Sequence, residues 1–165
     1  MRRFLVVFAI LVVSLMTLPV SAIAKNQEEA ISDHCESIRN SLKTIQKNDA
    51  KARVHLGGRY ETILSRFLVP LNVRLVENNL PSADLVENQN DFADTKVVFT
   101  NDYIEYQQNL EELVAMDCKN QPAEFYEKLV KVRQKRKTME QDVMKMRTLI
   151  TKQINAVNNL MSKVK

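Results

Sequence analysis

The chain has 165 residues, a length that suits one domain, and it contains only two glycines, four prolines and no tryptophan. So few turn-forming residues, without alternating β-branched runs between turns, favour long helices over sheets. The formal charge of +4 falls to +2 if an N-terminal leader carrying two arginines is removed. The charge balance therefore gives no reason to expect a nucleic acid or an anionic membrane as partner.

Residues 1–24 have the pattern of a signal peptide. Two arginines open the segment, an apolar run follows from Phe4 to Met16, and small residues come next. The run is shorter than the ~20 residues that a membrane-spanning helix needs, and Pro19 disfavours its extension. We predict cleavage and export to the periplasm, the cell surface or the medium. An uncleaved helix that anchors the protein in the cytoplasmic membrane is the alternative, and the membrane would then be contacted only through this segment.

The first predicted helix covers about residues 27–78 and carries apolar residues at alternating steps of four and three. This stripe weakens at Asp49 and then resumes. Gly57-Gly58 and Pro70 should bend or loosen the helix, because glycine costs about 1 kcal/mol in a helix interior and proline about 3 kcal/mol.

The second and third predicted helices cover about residues 82–117 and 122–163. The second helix has a row of apolar and aromatic residues at seven-residue intervals, formed by Leu85, Phe92, Phe99, Tyr106 and Leu113. Tyr103 and Leu110 form part of a second such row. The third has one continuous stripe: Phe125, Leu129, Val132, Arg136, Met139, Val143, Met146, Ile150, Gln153, Val157, Leu160 and Val164. Helices with narrow apolar stripes need partner helices. The sequence predicts an all-α fold in which residues 25–165 form an elongated antiparallel three-helix bundle or coiled coil.

Two polar residues, Arg136 and Gln153, interrupt the stripe of the third helix. Such residues can set helix register at some cost in stability. They can also lie near the surface, where a long side chain reaches water, and we favour this second interpretation.

Opposite charges favour pairing of the second and third helices. The second helix contains nine acidic residues against Lys96, whereas residues 128–147 of the third contain eight basic residues against two acidic ones. Antiparallel pairing brings these charges together.

Cys35 and Cys118 lie at the same end of the predicted bundle, one near the start of the first helix and the other after the second. In an exported protein this placement predicts an intrachain disulfide. Two buried free thiols, or pairing between chains, are the alternatives.

No set of residues indicates catalysis, a metal site or a cofactor site, so we expect a protein that is not an enzyme. His34 and Cys35 are adjacent and point to different faces of a helix, and His55 has no ligand at suitable spacing. The strongest candidate for an external contact is a basic run in the third helix, formed by Lys131, Arg133, Lys135, Arg136 and Lys137. Stacking aromatics are sparse there, which disfavours nucleic acid. Pairing with the acidic second helix accounts for the run without any ligand.

Several short segments carry a resemblance to a known group of proteins. They are His34-Cys35-Glu36-Ser37-Ile38, Asp102-Tyr103 to Leu110, Asp117-Cys118 and Arg136 to Val143. With them the chain resembles an uncharacterised family of small secreted helical proteins from candidate-phylum, reduced-genome bacteria. The resemblance covers most of the mature chain and implies export, helices and paired cysteines, but no activity.

The function predicted is that of an exported, non-enzymatic structural or interaction protein, whose partner is another protein or a cell-envelope component. The signal peptide, size and long charged helices are also similar to those of periplasmic holdase chaperones of the Skp type, which makes a holdase the alternative. Those chaperones assemble through a small β-rich body, and this sequence shows no strand-forming segment. Pairing of the third helix with its own copy, through Val143, Ile150 and Val157, is a further open possibility.

Overall fold

The computed structural model describes the backbone of residues 20–164 and the side-chain environments of residues 26–162. Within the described range the chain is helical, with no strand, which confirms the all-α prediction. The elements are α1 (Val20–Asp33), α2 (Cys35–Ile63), a π-helical segment (Leu64–Leu68), α3 (Val69–Glu77), α4 (Ala83–Ala115) and α5 (Pro122–Val164). Most of the predicted signal peptide, residues 1–19, lies outside the described residues.

The first predicted helix corresponds to several consecutive elements. Its first break is at His34, where the backbone leaves helical geometry (φ −105°, ψ 16°). Hydrogen bonds nevertheless continue through the break, since the His34 N–H donates to the Ala30 carbonyl and the Ile38 N–H donates to the His34 carbonyl. α1 also begins at Val20, earlier than the predicted start near residue 27.

The predicted loosening of this helix occurs beside the proline and not at the glycines. Gly57 and Gly58 both lie inside α2, and a Cβ added at either would meet no heavy atom within 4 Å. The π-helical segment Leu64–Leu68 directly precedes Pro70. A proline ring clashes with the carbonyl four residues earlier in an α-helix, and a π-helical turn moves that carbonyl out of register.

α3 ends in a Schellman motif that turns the chain towards α4. Asn79 has a positive φ of 52°, a conformation that asparagine tolerates better than most residues. Its N–H donates to the Val76 carbonyl, and the Leu80 N–H donates to the Leu75 carbonyl at 2.9 Å. Pro81 follows and cannot continue a helix.

α4 and α5 run antiparallel and share the most extensive contact between elements. As residue numbers rise along α4, those of the facing residues on α5 fall. Lys135 of α5 forms an ion pair with Glu105 at 2.7 Å, and Lys128 forms another with Glu112. These cross-helix pairs join the acidic and basic helices as the charge pattern predicts.

The core lies along the faces of α4 and α5 that the heptad rows mark. All five residues of the predicted row on α4 are buried, as are Tyr103 and Leu110. On α5 buried positions recur at seven-residue intervals, at Phe125, Val132, Met139, Met146 and Gln153, and Leu149 is buried as well. α2 packs on α4 in part through Tyr60, whose ring meets Phe92 edge-on at 5.9 Å.

The surface interpretation is wrong for Gln153, which is only 3% exposed. Its amide oxygen accepts a hydrogen bond from Asn88, and this bond offsets part of the cost of burial. Arg136, in contrast, keeps 46% of its side chain exposed. The same polar interruption of a stripe therefore has two different outcomes on one helix.

Candidate functional site

The Cys35–Cys118 disulfide ties the start of α2 to the turn that follows α4, with a Cα–Cα distance of 5.5 Å. The predicted intrachain disulfide is confirmed, and the alternatives of free thiols and interchain pairing are wrong. A side chain reinforces the junction: Arg39 donates to the Met116 carbonyl at 2.9 Å. Asp117 accepts hydrogen bonds from the Asn120 amide group and backbone N–H, which lower the pKa of its carboxyl.

The basic run of α5 is divided between internal ion pairs and exposed positions. Lys135 bonds to Glu105 and lowers the pKa of that carboxyl, chiefly through the hydrogen bond. Arg136 turns towards Asp49 of α2. The predicted interaction patch therefore contributes two of its five members to contacts within the chain.

Lys131, Arg133 and Lys137 are the other members of the run, and all three are exposed. None of the three forms an ion pair with a carboxylate in the part of the chain that the structure describes. At about 100° per residue, Arg133 and Lys137 share one face of α5, roughly opposite the α4-facing side, whereas Lys131 lies on the same side as Lys135. The run is thus not a single basic face, and Arg133 and Lys137 form its outward part.

A partly buried carboxylate, which the sequence does not single out as a site, joins three helices. The Asp49 side chain of α2 is 16% exposed. It accepts two hydrogen bonds from Arg136, at 2.9 and 3.1 Å, and a third from the Tyr106 hydroxyl at 2.7 Å. Burial and then the bond to Asp49 raise the pKa of Tyr106, and the same carboxylate raises the pKa of Arg136.

The signal for this network is present in the sequence. Asp49 is where the stripe of the first helix weakens, and Arg136 interrupts the stripe of the third. Two opposite charges, each in an otherwise apolar stripe, satisfy one another when the helices align. Each residue considered alone carries no such information.

An apolar cleft of about 400 Å³ opens beside the Asp49–Arg136 pair. α2 and α5 form its walls, and α4 contributes Phe99 and Tyr103 between them. Arg53 lies 5.2 Å from the centre of the Tyr103 ring, a cation–π contact. Leu56 and Val143 are among the apolar residues that line the cleft. Its volume is within the range of ~300–1,000 Å³ typical of small-molecule sites.

α4 also carries a polar row at seven-residue intervals, formed by Asn88, Thr95, Asp102 and Asn109. Asn88, Thr95 and Asn109 are buried, and Asn88 donates to the Leu149 carbonyl as well as to Gln153. The apolar pattern of the sequence predicts Tyr103 and Leu110 as the second buried row of this helix. The missed row lies three residues after each member of the main row, which is a core position of a heptad.

Within this row Asp102 faces Asp142 of α5, so that two carboxyl groups meet between helices. Burial, followed by the hydrogen bond to Asp102 and repulsion by its charge, raises the pKa of Asp142 to about 6. Lys145 opposes this shift. The Oδ2 atom of Asp142 is buried, and no N–H or hydroxyl group of the described residues donates a hydrogen bond to it.

The histidines and acidic residues form no metal centre in the described segment, where no three His, Cys, Asp or Glu side chains are placed to share an ion. His34 is exposed, and His55 lies 2.9 Å from Arg59 in a hydrogen bond on the surface of α2. None of the helices between residues 20 and 164 combines the length and the apolar character needed to cross a membrane.

Comparison with known proteins gives no relative. No protein-family model, no curated protein and no solved structure matches the chain.

Proposed function

We propose that this chain is an exported, non-enzymatic interaction protein in which α2 with α3, α4 and α5 form the three rods of an elongated antiparallel bundle. The disulfide supports export, because such bonds persist in oxidising compartments. The bundle is supported by the buried rows of α4 and α5 and by the packing of Tyr60 of α2 on Phe92 of α4. The proposed partner is a protein or a cell-envelope component that presents acidic groups.

The observation that carries the proposal is the outward pair Arg133 and Lys137 on α5. The basic residues that face neighbouring helices are engaged: Lys135 bonds to Glu105 and Arg136 to Asp49. Arg133 and Lys137 face outward, four residues apart, with no carboxylate partner among the described residues. Internal pairing therefore accounts for only part of the basic run. The remainder is available to an acidic partner.

A matched pair of charge variants tests this proposal. Arg133→Gln/Lys137→Gln removes the outward pair, and Lys43→Gln/Lys47→Gln removes two exposed lysines of α2 at the same spacing. Each purified protein is crosslinked to the envelope fraction of the producing organism at low and at high salt. We expect a defined partner that the wild type and the α2 variant capture, that the α5 variant loses, and that high salt weakens. Equal capture by both variants would contradict a role for this surface.

A holdase is the second candidate, and exposed apolar residues of α3 and of the turn that follows it favour it. Val69, Val73, Val76 and Leu80 recur at steps of four, three and four and are 36–58% exposed. A row of this kind suits loose contact with unfolded chains.

Aggregation assays with an unfolded client separate this candidate from the first. If the protein is a holdase, stoichiometric amounts suppress aggregation, and Val73→Ser/Val76→Ser weakens suppression. Val54→Ser/Val97→Ser, at two exposed valines of α2 and α4, should leave it unchanged. Absence of suppression by the wild type would remove the candidate.

A further inference from the structure

The apolar cleft between α2 and α5 is asymmetric along its length. At one end the Asp49–Arg136 ion pair lies beside it, and both partners are occupied with each other. At the other end Arg147 and Met144 line the cleft and also line a second, polar cleft of about 820 Å³ between α4 and α5. Arg147 therefore stands at the boundary between an apolar and a polar space.

Arg147 forms no ion pair with a carboxylate in the part of the chain that the structure describes. Two carboxylates, Asp84 and Glu87, line the polar cleft on the α4 side. Neither lies within the 4.0 Å of an ion pair with Arg147, and no other carboxylate of the described chain does. The guanidinium is a planar donor that matches a carboxylate or phosphate with two hydrogen bonds.

We propose that this cleft binds an anionic amphiphile, a molecule with an apolar chain and one carboxylate or phosphate head. The apolar tail of the amphiphile lies between α2 and α5 against Leu56, Phe99 and Val143. Arg147 holds its charged head at the mouth of the polar cleft. The reverse orientation is disfavoured, because it would bring the anionic head next to the Asp49 carboxylate. Arg136 at that end already donates its hydrogen bonds to Asp49. Binding here requires neither the outward pair of α5 nor the partner proposed for it.

The cleft charges agree with a single anionic head. Arg53, Arg136 and Arg147 stand against Asp49 and Glu140 along its walls. Arg136 is shared by the two carboxylates, since it bonds to Asp49 and lies 3.7 Å from Glu140. Arg53 rests on the Tyr103 ring. Among the residues that line this cleft, Arg147 is thus the arginine with neither a carboxylate nor an aromatic partner in direct contact, and it lies at the end where the head is placed.

Titration calorimetry on the full chain tests the proposal with dodecanoate and dodecyl phosphate below their micellar concentrations and with dodecanol below its solubility limit. An ionic hydrogen bond contributes about 1.5–3 kcal/mol, so both anions should bind at least roughly tenfold more tightly than the neutral alcohol. The order of the two anions identifies the preferred head. Equal affinity for dodecanoate and dodecanol, or no binding of either anion, overturns the proposal.

Two variants with matched controls locate the site. Arg147→Gln should lower anion affinity about tenfold and leave dodecanol affinity unchanged, whereas Arg74→Gln, at an exposed arginine of α3, should change neither. Ala52→Phe fills the cleft and should weaken all three ligands, whereas Ala123→Phe, at an exposed alanine outside it, should not. All four positions are exposed, and unfolding curves verify the fold of each variant. The assignment is refuted if Arg147→Gln and Arg74→Gln lose the same anion affinity, or if Ala52→Phe still binds the ligands. Either result would place the amphiphile elsewhere, for example on the apolar N-terminal segment.

Discussion

Replacement of Asp142 by asparagine should stabilise the protein above neutral pH and leave its stability unchanged near pH 4. In the folded chain the partly buried carboxyl faces Asp102, and its pKa rises from 3.8 to about 6. Because the folded-state pKa is above the unfolded value, folding favours the protonated form. The resulting free-energy penalty is absent below pH 4, grows as the pH rises to 6, and is fully present above that pH.

The size of the penalty follows from the same two values. A difference between 3.8 and about 6 corresponds to roughly 3 kcal/mol as an upper limit. Partial access of water to the carboxyl screens the interaction and lowers the expected effect to about 1 kcal/mol. In a chain of this length, that gain raises the melting temperature by about 2–4 °C. The Asp142→Asn amide can also donate to Asp102, as the protonated carboxyl does.

Thermal unfolding followed by circular dichroism at pH 4, 5, 6 and 8 measures the effect. Asp91→Asn, at an exposed acid of α4, is the control for the loss of one negative charge, and its effect should be small at every pH. The gain for Asp142→Asn should grow from pH 4 to pH 6 and then level off. A gain that is independent of pH, or a loss of stability at pH 8, would refute the assignment of a costly carboxyl pair between α4 and α5.

Substitutions at three further sites test how polar groups and the disulfide hold the helices together. Asp49→Asn should cost about 1.5–3 kcal/mol in urea unfolding, because it weakens two charge-assisted bonds and a bond from a tyrosine. Asn88→Leu should cost about 1–3 kcal/mol by leaving Gln153 without its partner, whereas the double variant Asn88→Leu/Gln153→Leu should recover most of that loss. Cys35→Ser/Cys118→Ser should lower stability by about 4.5 kcal/mol, as loop-closure entropy for a separation of 83 residues predicts.

Controls and contrary outcomes distinguish these effects from general disturbance of the core. Glu140→Gln removes an exposed carboxylate 3.7 Å from Arg136 and should cost less than 1 kcal/mol. A similar loss of stability in Glu140→Gln and Asp49→Asn would argue against a stabilising Asp49–Arg136–Tyr106 network. A double variant at Asn88 and Gln153 that is less stable than Asn88→Leu alone would contradict the reasoning for that pair. Unchanged unfolding of the cysteine variant would contradict the entropic account.

Much of the fold follows from patterns local to each helix. The row from Leu85 to Leu113 predicts the buried face of α4 because residues seven apart lie on one side of a helix. Pro122 marks the start of α5, and Pro70 marks the departure from α-helical geometry. The placement of Cys35 and Cys118 at the same end follows from helix order, since an antiparallel turn returns the chain to that end, and the structure shows the bond between them.

The sites depend on features that lie between helices. Whether Arg136 reaches water or Asp49, and whether Gln153 is exposed or bonded to Asn88, is decided by the rotation and axial offset of one helix against another. The same offset brings Asp102 to Asp142 and leaves the cleft beside Arg53.

The sequence by itself determined which segments are helical and which faces are apolar, because these depend on neighbours within a few residues. Only the tertiary structure decided which polar atoms meet, because the relative position of two long helices is the joint result of all their packing contacts. A shift of one turn, about 5.4 Å, would preserve every helix and change every polar partner.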